Sequence, residues 1–286
     1  MIENKGVTDD DAMTTASDSD RPDSHADAPR PLRIALAQLT SGPDVDENLA
    51  AVTALIAEAA ERGARLVVFP EATVACFGSR LSEVAEPLDG PFACGVRAAA
   101  ASAGVIAVAG IFTPAGGGRV HNTLLITGPG IEASYHKIHL YDAFGSKESE
   151  TVSPGASLVS IDALGTRIGF ATCYDLRFAD QFTDLGRRGA RLVVVPASWG
   201  DGPGKDQQWD VLTRARAMDA QAYLAACDQA WTPPQGVRPL GIGLSRVADP
   251  FGTIVGQLDE RAGLLVVDID LARVDAARRQ LPILAG

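Results

Sequence analysis

Three polar residues stand where an apolar run stops. "LVVFPE" ends at Glu71, "YHKIHL" contains Lys137, and "IGFATC" ends at Cys173. In α/β sheets, chemistry collects at strand ends. A cysteine at a strand-to-helix junction gains exposure on a sharp turn, and the helix N-terminus that follows favours its thiolate. A carboxylate can take the thiol proton, and an ammonium can face a developing oxyanion. Base, nucleophile and cation together suffice for attack on an amide carbon. Each residue also has a plainer reading. Cys173 alone reads as a small buried hydrophobe, Glu71 as a loop carboxylate capping a helix, and Lys137 as a solvated strand lysine.

Bringing residues 71, 137 and 173 together requires a layered scaffold, and the chain supplies its parts. "LRIALAQ" (32–38) reads as a buried strand. In the segment that follows, Val45, Leu49, Val52, Ile56 and Ala59 fall on one helical stripe, which Gly63 ends. "RLVVFP" is the next strand, and Pro91 to Ala103 is a second helix ended by Gly104. "VIAVAGIF", "HNTLLITG" and "IEASYHKIHL" follow as strands, punctuated by "AGGG" and "GPG". A second strand–helix–strand passage runs from "TRIGFATC" through a helix at about Phe178–Arg188 to "RLVVVPAS". A helix near Gln207–Ala220, the strands "AYLAACD", "LSRVAD", "TIVGQL" and "GLLVVDID", and a short helix finish the chain. Strands apolar on both faces beside two-faced ones suggest an α/β sandwich. One domain over residues 31–286 is expected.

Composition narrows the function. The 286 residues carry a net charge of −11, which argues against nucleic acid or an anionic membrane as the partner. No apolar run has the length of a membrane span. Residues 1–30 hold eight acids against three basic residues and no aromatic residue. They read as a disordered acidic tail that lacks the pattern of a secretory signal, so a cytoplasmic protein is expected. The four cysteines, Cys76, Cys94, Cys173 and Cys227, include no C-x-x-C pair. His136 and His139, three apart on an expected strand, point to opposite faces with no third ligand nearby, so no metal site is expected.

"VVFPEAT", "YHKIHLYDAFG" and "ATCYDLRF", in this order and spacing, closely resemble the three signature segments of the nitrilase superfamily of carbon–nitrogen hydrolases. The similarity runs from "IALAQ" near the start of the folded part to "ARRQLPIL" near its end. It implies a four-layer αββα sandwich that forms a homodimer or a higher homo-oligomer. It implies a Glu71–Lys137–Cys173 triad that works without a cofactor, and a second glutamate that holds the lysine and orients substrate. In "KESETVSPG", Glu148 matches that residue better than Glu150; its plainer reading is an exposed loop acid.

"CYDLRF", "HNTLL" and "PASWGDGPGK" look most like the branch containing deaminated-glutathione amidase and omega-amidase. Nitrile-cleaving members usually carry Trp after the nucleophile, where this chain has Tyr174. The resemblance therefore implies an amidase acting on a small carboxylate-bearing amide through a cysteine thioester. An N-carbamoyl-amine hydrolase, a nitrilase and an inactive binding protein on the same scaffold are the alternatives, and the intact triad argues against the last. Arg177 is a candidate carboxylate binder, because its guanidinium fork suits a carboxylate; the other reading is an ion pair with Asp175 or Asp180. Tyr174, Ser198 and Trp199 are expected to line the pocket. Two departures stand out. Ala179-Asp180 replaces the family's Pro-Glu, which puts the start of that helix in question, and "GDGPGK" differs from the corresponding loop of omega-amidases.

Overall fold

The computed structural model describes residues 31–233 and 240–285. The acidic segment 1–30 lies outside the described residues. In chain order the elements are β1 (Leu32–Gln38), α1 (Val45–Glu61), β2 (Leu66–Val68), α2 (Leu81–Val84), α3 (Pro91–Ala103), β3 (Ile106–Gly116), β4 (Arg119–Gly128) and β5 (Ile131–His136). Then come β6 (Ser160–Ala163), β7 (Thr166–Phe170), α4 (Ala179–Arg187), β8 (Leu192–Ala197), α5 (Lys205–Ala220), β9 (Tyr223–Asp228), β10 (Arg246–Ala248), β11 (Ile254–Gln257), β12 (Gly263–Ile269) and α6 (Ala272–Gln280).

Two six-stranded sheets have the orders β12-β1-β2-β3-β4-β5 and β11-β10-β9-β8-β7-β6. Each has a parallel core, β1–β2–β3 in one and β7–β8–β9 in the other, flanked by antiparallel strands. The alternation of side chains along a strand explains why these strands are apolar on both faces. Ile34 and Leu36 of β1 pack between the sheets against residues such as Phe170 and Val194, whereas Ala35 and Ala37 face outward into the layer of α1 and α3. In β9, Ala225 and Cys227 face the other sheet, and Leu224 and Ala226 face α4 and α5. Three apolar clusters therefore separate four layers, helix–sheet–sheet–helix.

Local chemistry sets the ends of the elements. The Asp44 carboxylate accepts from the Asp46 and Glu47 N–H groups and caps α1. Val52, Ile56 and Ala59 of the expected stripe are buried, with Val45 and Leu49 packed at its edge. Pro91 opens α3, and Gly104 closes it in the left-handed conformation at φ +69°. The helix at residues 178–188 is real but shorter than expected. α4 begins at Ala179 with Asp180 in its first turn, and a separate turn of 3-10 helix, Cys173–Arg177, precedes it. The strand expected through Leu140 stops at His136, so Lys137 lies just past the end of β5. β6 is absent from the sequence reading. Its hairpin to β7 turns through Leu164 and Gly165, both at positive φ, and leucine there gives no turn signal.

Candidate active site

Glu71 lies three residues beyond β2, Cys173 three beyond β7, and Ser198 directly after β8, so the C-terminal ends of central parallel strands from both sheets meet. The backbone joins them: the Glu71 N–H donates to the Ala197 carbonyl at 3.2 Å. The Gln229 amide reaches across to the Glu71 carbonyl at 2.9 Å. Gly110 of β3 permits this approach. A Cβ at that position would lie 2.5 Å from the Ala72 nitrogen and 2.8 Å from the Glu71 Cα. Ala72 and Cys173 both hold positive φ, 57° and 45°, a costly conformation for a residue with a Cβ.

The Glu71 carboxylate is buried, and each oxygen has partners. Oε1 accepts from Lys137 Nζ at 2.9 Å and Asn122 Nδ2 at 2.7 Å, and Oε2 accepts from the Ser198 N–H at 2.9 Å. Lys137 Nζ also donates to both oxygens of Glu148, at 2.9 and 3.2 Å. The Tyr141 N–H holds Glu148 Oε2 at 2.6 Å, and Asn122 Nδ2 reaches Glu148 Oε1 at 3.2 Å. Glu148 is thus tied into the buried cluster, whereas Glu150 pairs with Lys147 in the open. Burial alone would pull the Lys137 ammonium towards neutrality. Glu71 and Glu148 reverse this and hold its pKa well above the ordinary lysine value.

Cys173 differs from the exposed thiolate expected of a strand-to-helix turn. It is buried, at 9% exposure. Its thiol is pushed well above the ordinary range, first by burial and then by the charge of Glu71, while Lys137 and the Ser198 N–H act the other way. The one-turn helix after it is too short to supply a dipole that would outweigh burial. Burial and the neighbouring Glu71 therefore favour the protonated thiol over the thiolate.

Asp175, considered from the sequence only as an ion-pair partner of Arg177, is instead a hydrogen-bonding hub beside the site. It is fully buried, and four donors converge on it: the Tyr135 hydroxyl at 2.6 Å, the Thr172 N–H at 2.8 Å, the His139 N–H at 3.0 Å and His139 Nδ1 at 2.8 Å. Tyr135 and His139 flank Lys137, so Asp175 clasps the cysteine's turn to the lysine's loop. This excludes Asp175 as the ion-pair partner of Arg177. Arg177 instead donates to Gln208 Oε1 at 2.6 Å and lies over the Trp199 and Tyr174 rings. His139 is stacked on Phe178 and His136 on His121, so the two histidines serve different neighbourhoods. Asn122, inside "HNTLL", is a second residue missed as a site member. Its place on β4 is visible in sequence, but the two glutamates it bridges are not.

All eight expected site residues line one cavity of about 810 Å³: Glu71, Lys137, Glu148, Cys173, Tyr174, Arg177, Ser198 and Trp199. Within the lining, Lys137 links Glu71 and Glu148. Tyr174 stands edge-on to Tyr141 in the wall. Ser198 contributes its N–H to Glu71, and its hydroxyl is spent on the Leu240 carbonyl at 2.6 Å. The Trp199 N–H is held by Asp228 at 2.7 Å. Among the described residues no helix is long and apolar enough to cross a membrane.

Comparison with known proteins agrees with this geometry. A hydrolase of Mycobacterium tuberculosis is 50% identical over 88% of this chain and 94% of its own length. The deaminated glutathione amidase of Escherichia coli O157:H7 is 34% identical over 84% of this chain and 90% of its own. An omega-amidase of Danio rerio is 31% identical, covering 88% of this chain and 92% of its own. Among solved structures, Nit3 of Saccharomyces cerevisiae, a member of branch 10 of the nitrilase superfamily, superposes with a TM-score of 0.78 at 28% identity, covering 89% of this chain and 95% of that one. Residues 33–279 match the carbon–nitrogen hydrolase family, and the chain, an enzyme of amidase type, belongs to that family.

Proposed function

We propose that the protein hydrolyses the C–N bond of a small carboxylate-bearing amide through a thioester on Cys173. The observation that carries this reading is the convergence of Cys173, Glu71 and Lys137 in the lining of a single cavity. The relatives named as amidases support the same reaction class. The resting thiol is neutral, so attack is coupled to proton transfer. As the sulfur bonds to the amide carbon, its proton passes to Glu71. Lys137, held as an ammonium by two carboxylates, faces the oxyanion together with the Tyr174 N–H. Glu71 returns the proton to the leaving nitrogen, the C–N bond breaks, and ammonia or an amine departs. Water then gives a proton to Glu71 and attacks the thioester. The S–C bond breaks, and the thiolate recovers its proton. No step requires a metal or cofactor.

Glu148 and Asn122 keep Lys137 and Glu71 in register, and Arg177 takes the substrate carboxylate. Assembly into a homodimer or larger homo-oligomer belongs to the same proposal; Val211 and Met218, exposed and seven residues apart on α5, offer an apolar face for it. The test is ammonia release from a panel of amides by wild type and Cys173→Ser. Turnover by wild type and its loss in the variant are expected, because an alcohol is far harder to deprotonate than a thiol. Near-wild-type turnover by Cys173→Ser would refute the mechanism, and release of carbon dioxide with the ammonia would point to a carbamoyl substrate instead.

A further inference from the structure

Five cationic side chains line the cavity, and three are already matched by carboxylates. Lys137 has Glu71 and Glu148, Arg80 has Glu83, and Lys147 has Glu150. Among the described residues, Arg177 and Lys205 have no carboxylate at ion-pair distance. Their polar side-chain contacts are Gln208 Oε1, 2.6 Å from Arg177, and the Tyr141 hydroxyl, 3.3 Å from Lys205 Nζ. Both cations lie over the same indole, with Arg177 Cζ 5.1 Å and Lys205 Nζ 5.3 Å from the Trp199 ring centroid. Lys205 Nζ is also 5.2 Å from the centroids of Tyr141 and Phe144. Aromatic faces hold an ammonium in place without neutralising it.

The position of Lys205 in the fold strengthens the point. It is the first residue of α5, a 16-residue helix. A helix begins at the positive end of its dipole, where a cation is unfavourable and an anion is welcome. Gln208 ties Arg177 to the first turn of the same helix. Among the described residues, two cations without a carboxylate at ion-pair distance thus stand beside the cavity of a protein whose net charge is −11, although Asp201 also lines that cavity and Asp206 occupies the first turn of α5. Lys205 also closes "GDGPGK", the glycine-rich loop between β8 and α5.

We propose that Lys205 and Arg177, both seated over Trp199, form one anion subsite of double positive charge, and that the amide cleaved at Cys173 carries two carboxylates. This rests on the amidase reading and names its substrate class. The probes are pentanamide, glutaramate and the monoamide of tricarballylate, which carry none, one and two carboxylates on one five-carbon chain. For wild type, kcat/KM rises with each carboxylate. In Lys205→Met, the preference for the doubly charged amide over glutaramate falls by about tenfold to a hundredfold, and Lys205→Arg recovers part of it. A preference within about threefold of wild type, in a variant with native circular dichroism, overturns the subsite. Calorimetric binding of tricarballylate against glutarate to the Cys173→Ser protein reads the same contacts without turnover. Hydrolysis of the amides with no dependence on Lys205 removes the subsite and leaves the amidase reading. Lys205-dependent tricarballylate binding with no hydrolysis of any amide removes the amidase reading and leaves the subsite.

Discussion

Replacing Glu71 by Gln separates the two things that this carboxylate does to Cys173. Its charge disfavours the thiolate, and in the proposed mechanism its basicity removes the thiol proton during attack. Gln has nearly the same size, so burial, the first cause of the raised thiol pKa, is retained and the charge is lost. A like charge nearby disfavours the thiolate, so the thiol pKa falls in Glu71→Gln and the thiolate fraction at a fixed pH below it rises. Lys137 remains an ammonium, because Glu148 still accepts from it at 2.9 Å, and it now acts on the thiolate unopposed by Glu71. Turnover moves the other way, down by about 10²–10⁴, the usual contribution of a positioned general base.

The assay is the pH profile of Cys173 alkylation by iodoacetamide, with Cys76 and Cys94 replaced by Ser, beside steady-state amide hydrolysis. The Gln amide nitrogen will face the Ser198 N–H, a donor against a donor, at a cost of about 1–3 kcal/mol. Thermal unfolding must therefore show the variant folded at the assay temperature. An alkylation profile that stays put or moves to higher pH would refute the electrostatic argument. Turnover within about tenfold of wild type would refute Glu71 as the base.

Gly110→Ala drives a methyl into the backbone at Glu71 and Ala72, so it should lower kcat by about tenfold or more through a misplaced base, as steady-state kinetics will read; wild-type kcat would mean that the strand end yields freely. Asp175→Asn keeps the shape of the clasp but turns one acceptor into a donor among four donors, costing about 1–3 kcal/mol in urea unfolding; it should reduce kcat more than it changes KM. Cys227 is buried and its thiol is raised by burial above its ordinary value of 9.0. A group raised in the folded state stabilises fully below its unfolded pKa and loses that contribution as pH rises, so Cys227 costs about 2 kcal/mol between pH 9 and about pH 10.5. Cys227→Ala should remove that loss from urea unfolding curves, and an unchanged alkaline slope would show that the thiol is not the titrating group.

What the sequence made legible follows from what is local. Glu71 and Cys173 each end an apolar run, and the end of an apolar run is a local property. Lys137 sits inside the strand that the sequence suggests, so the resemblance of its segment, not its position, singles it out. A layered α/β sandwich was legible for a related reason, while the count of four layers came from the family resemblance. Strands buried on both faces read as continuous apolar runs, and the helices between them carry their own caps and stripes. What failed were inferences that depend on another part of the chain. Cys173 was expected to be exposed because its turn is sharp. It is buried beside Glu71 and Ser198, which come from other strand ends, and the Glu71 backbone passes close against Gly110, a glycine that looks unremarkable within "VIAVAGIF".

The same reasoning explains Asp175 and Arg177. Two residues apart in sequence and opposite in charge, they suggest an ion pair. Yet a buried carboxylate is stabilised most by many donors at fixed positions, and Tyr135, Thr172 and His139 supply four. Arg177, released from Asp175, can spend its guanidinium on the cavity. The pairing that is nearest in sequence therefore loses to the one that fixes the nucleophile relative to Lys137. Among the described residues the cost is a cation without a carboxylate partner, and in the proposed hydrolysis of a carboxylate-bearing amide that cation is the group that selects the substrate.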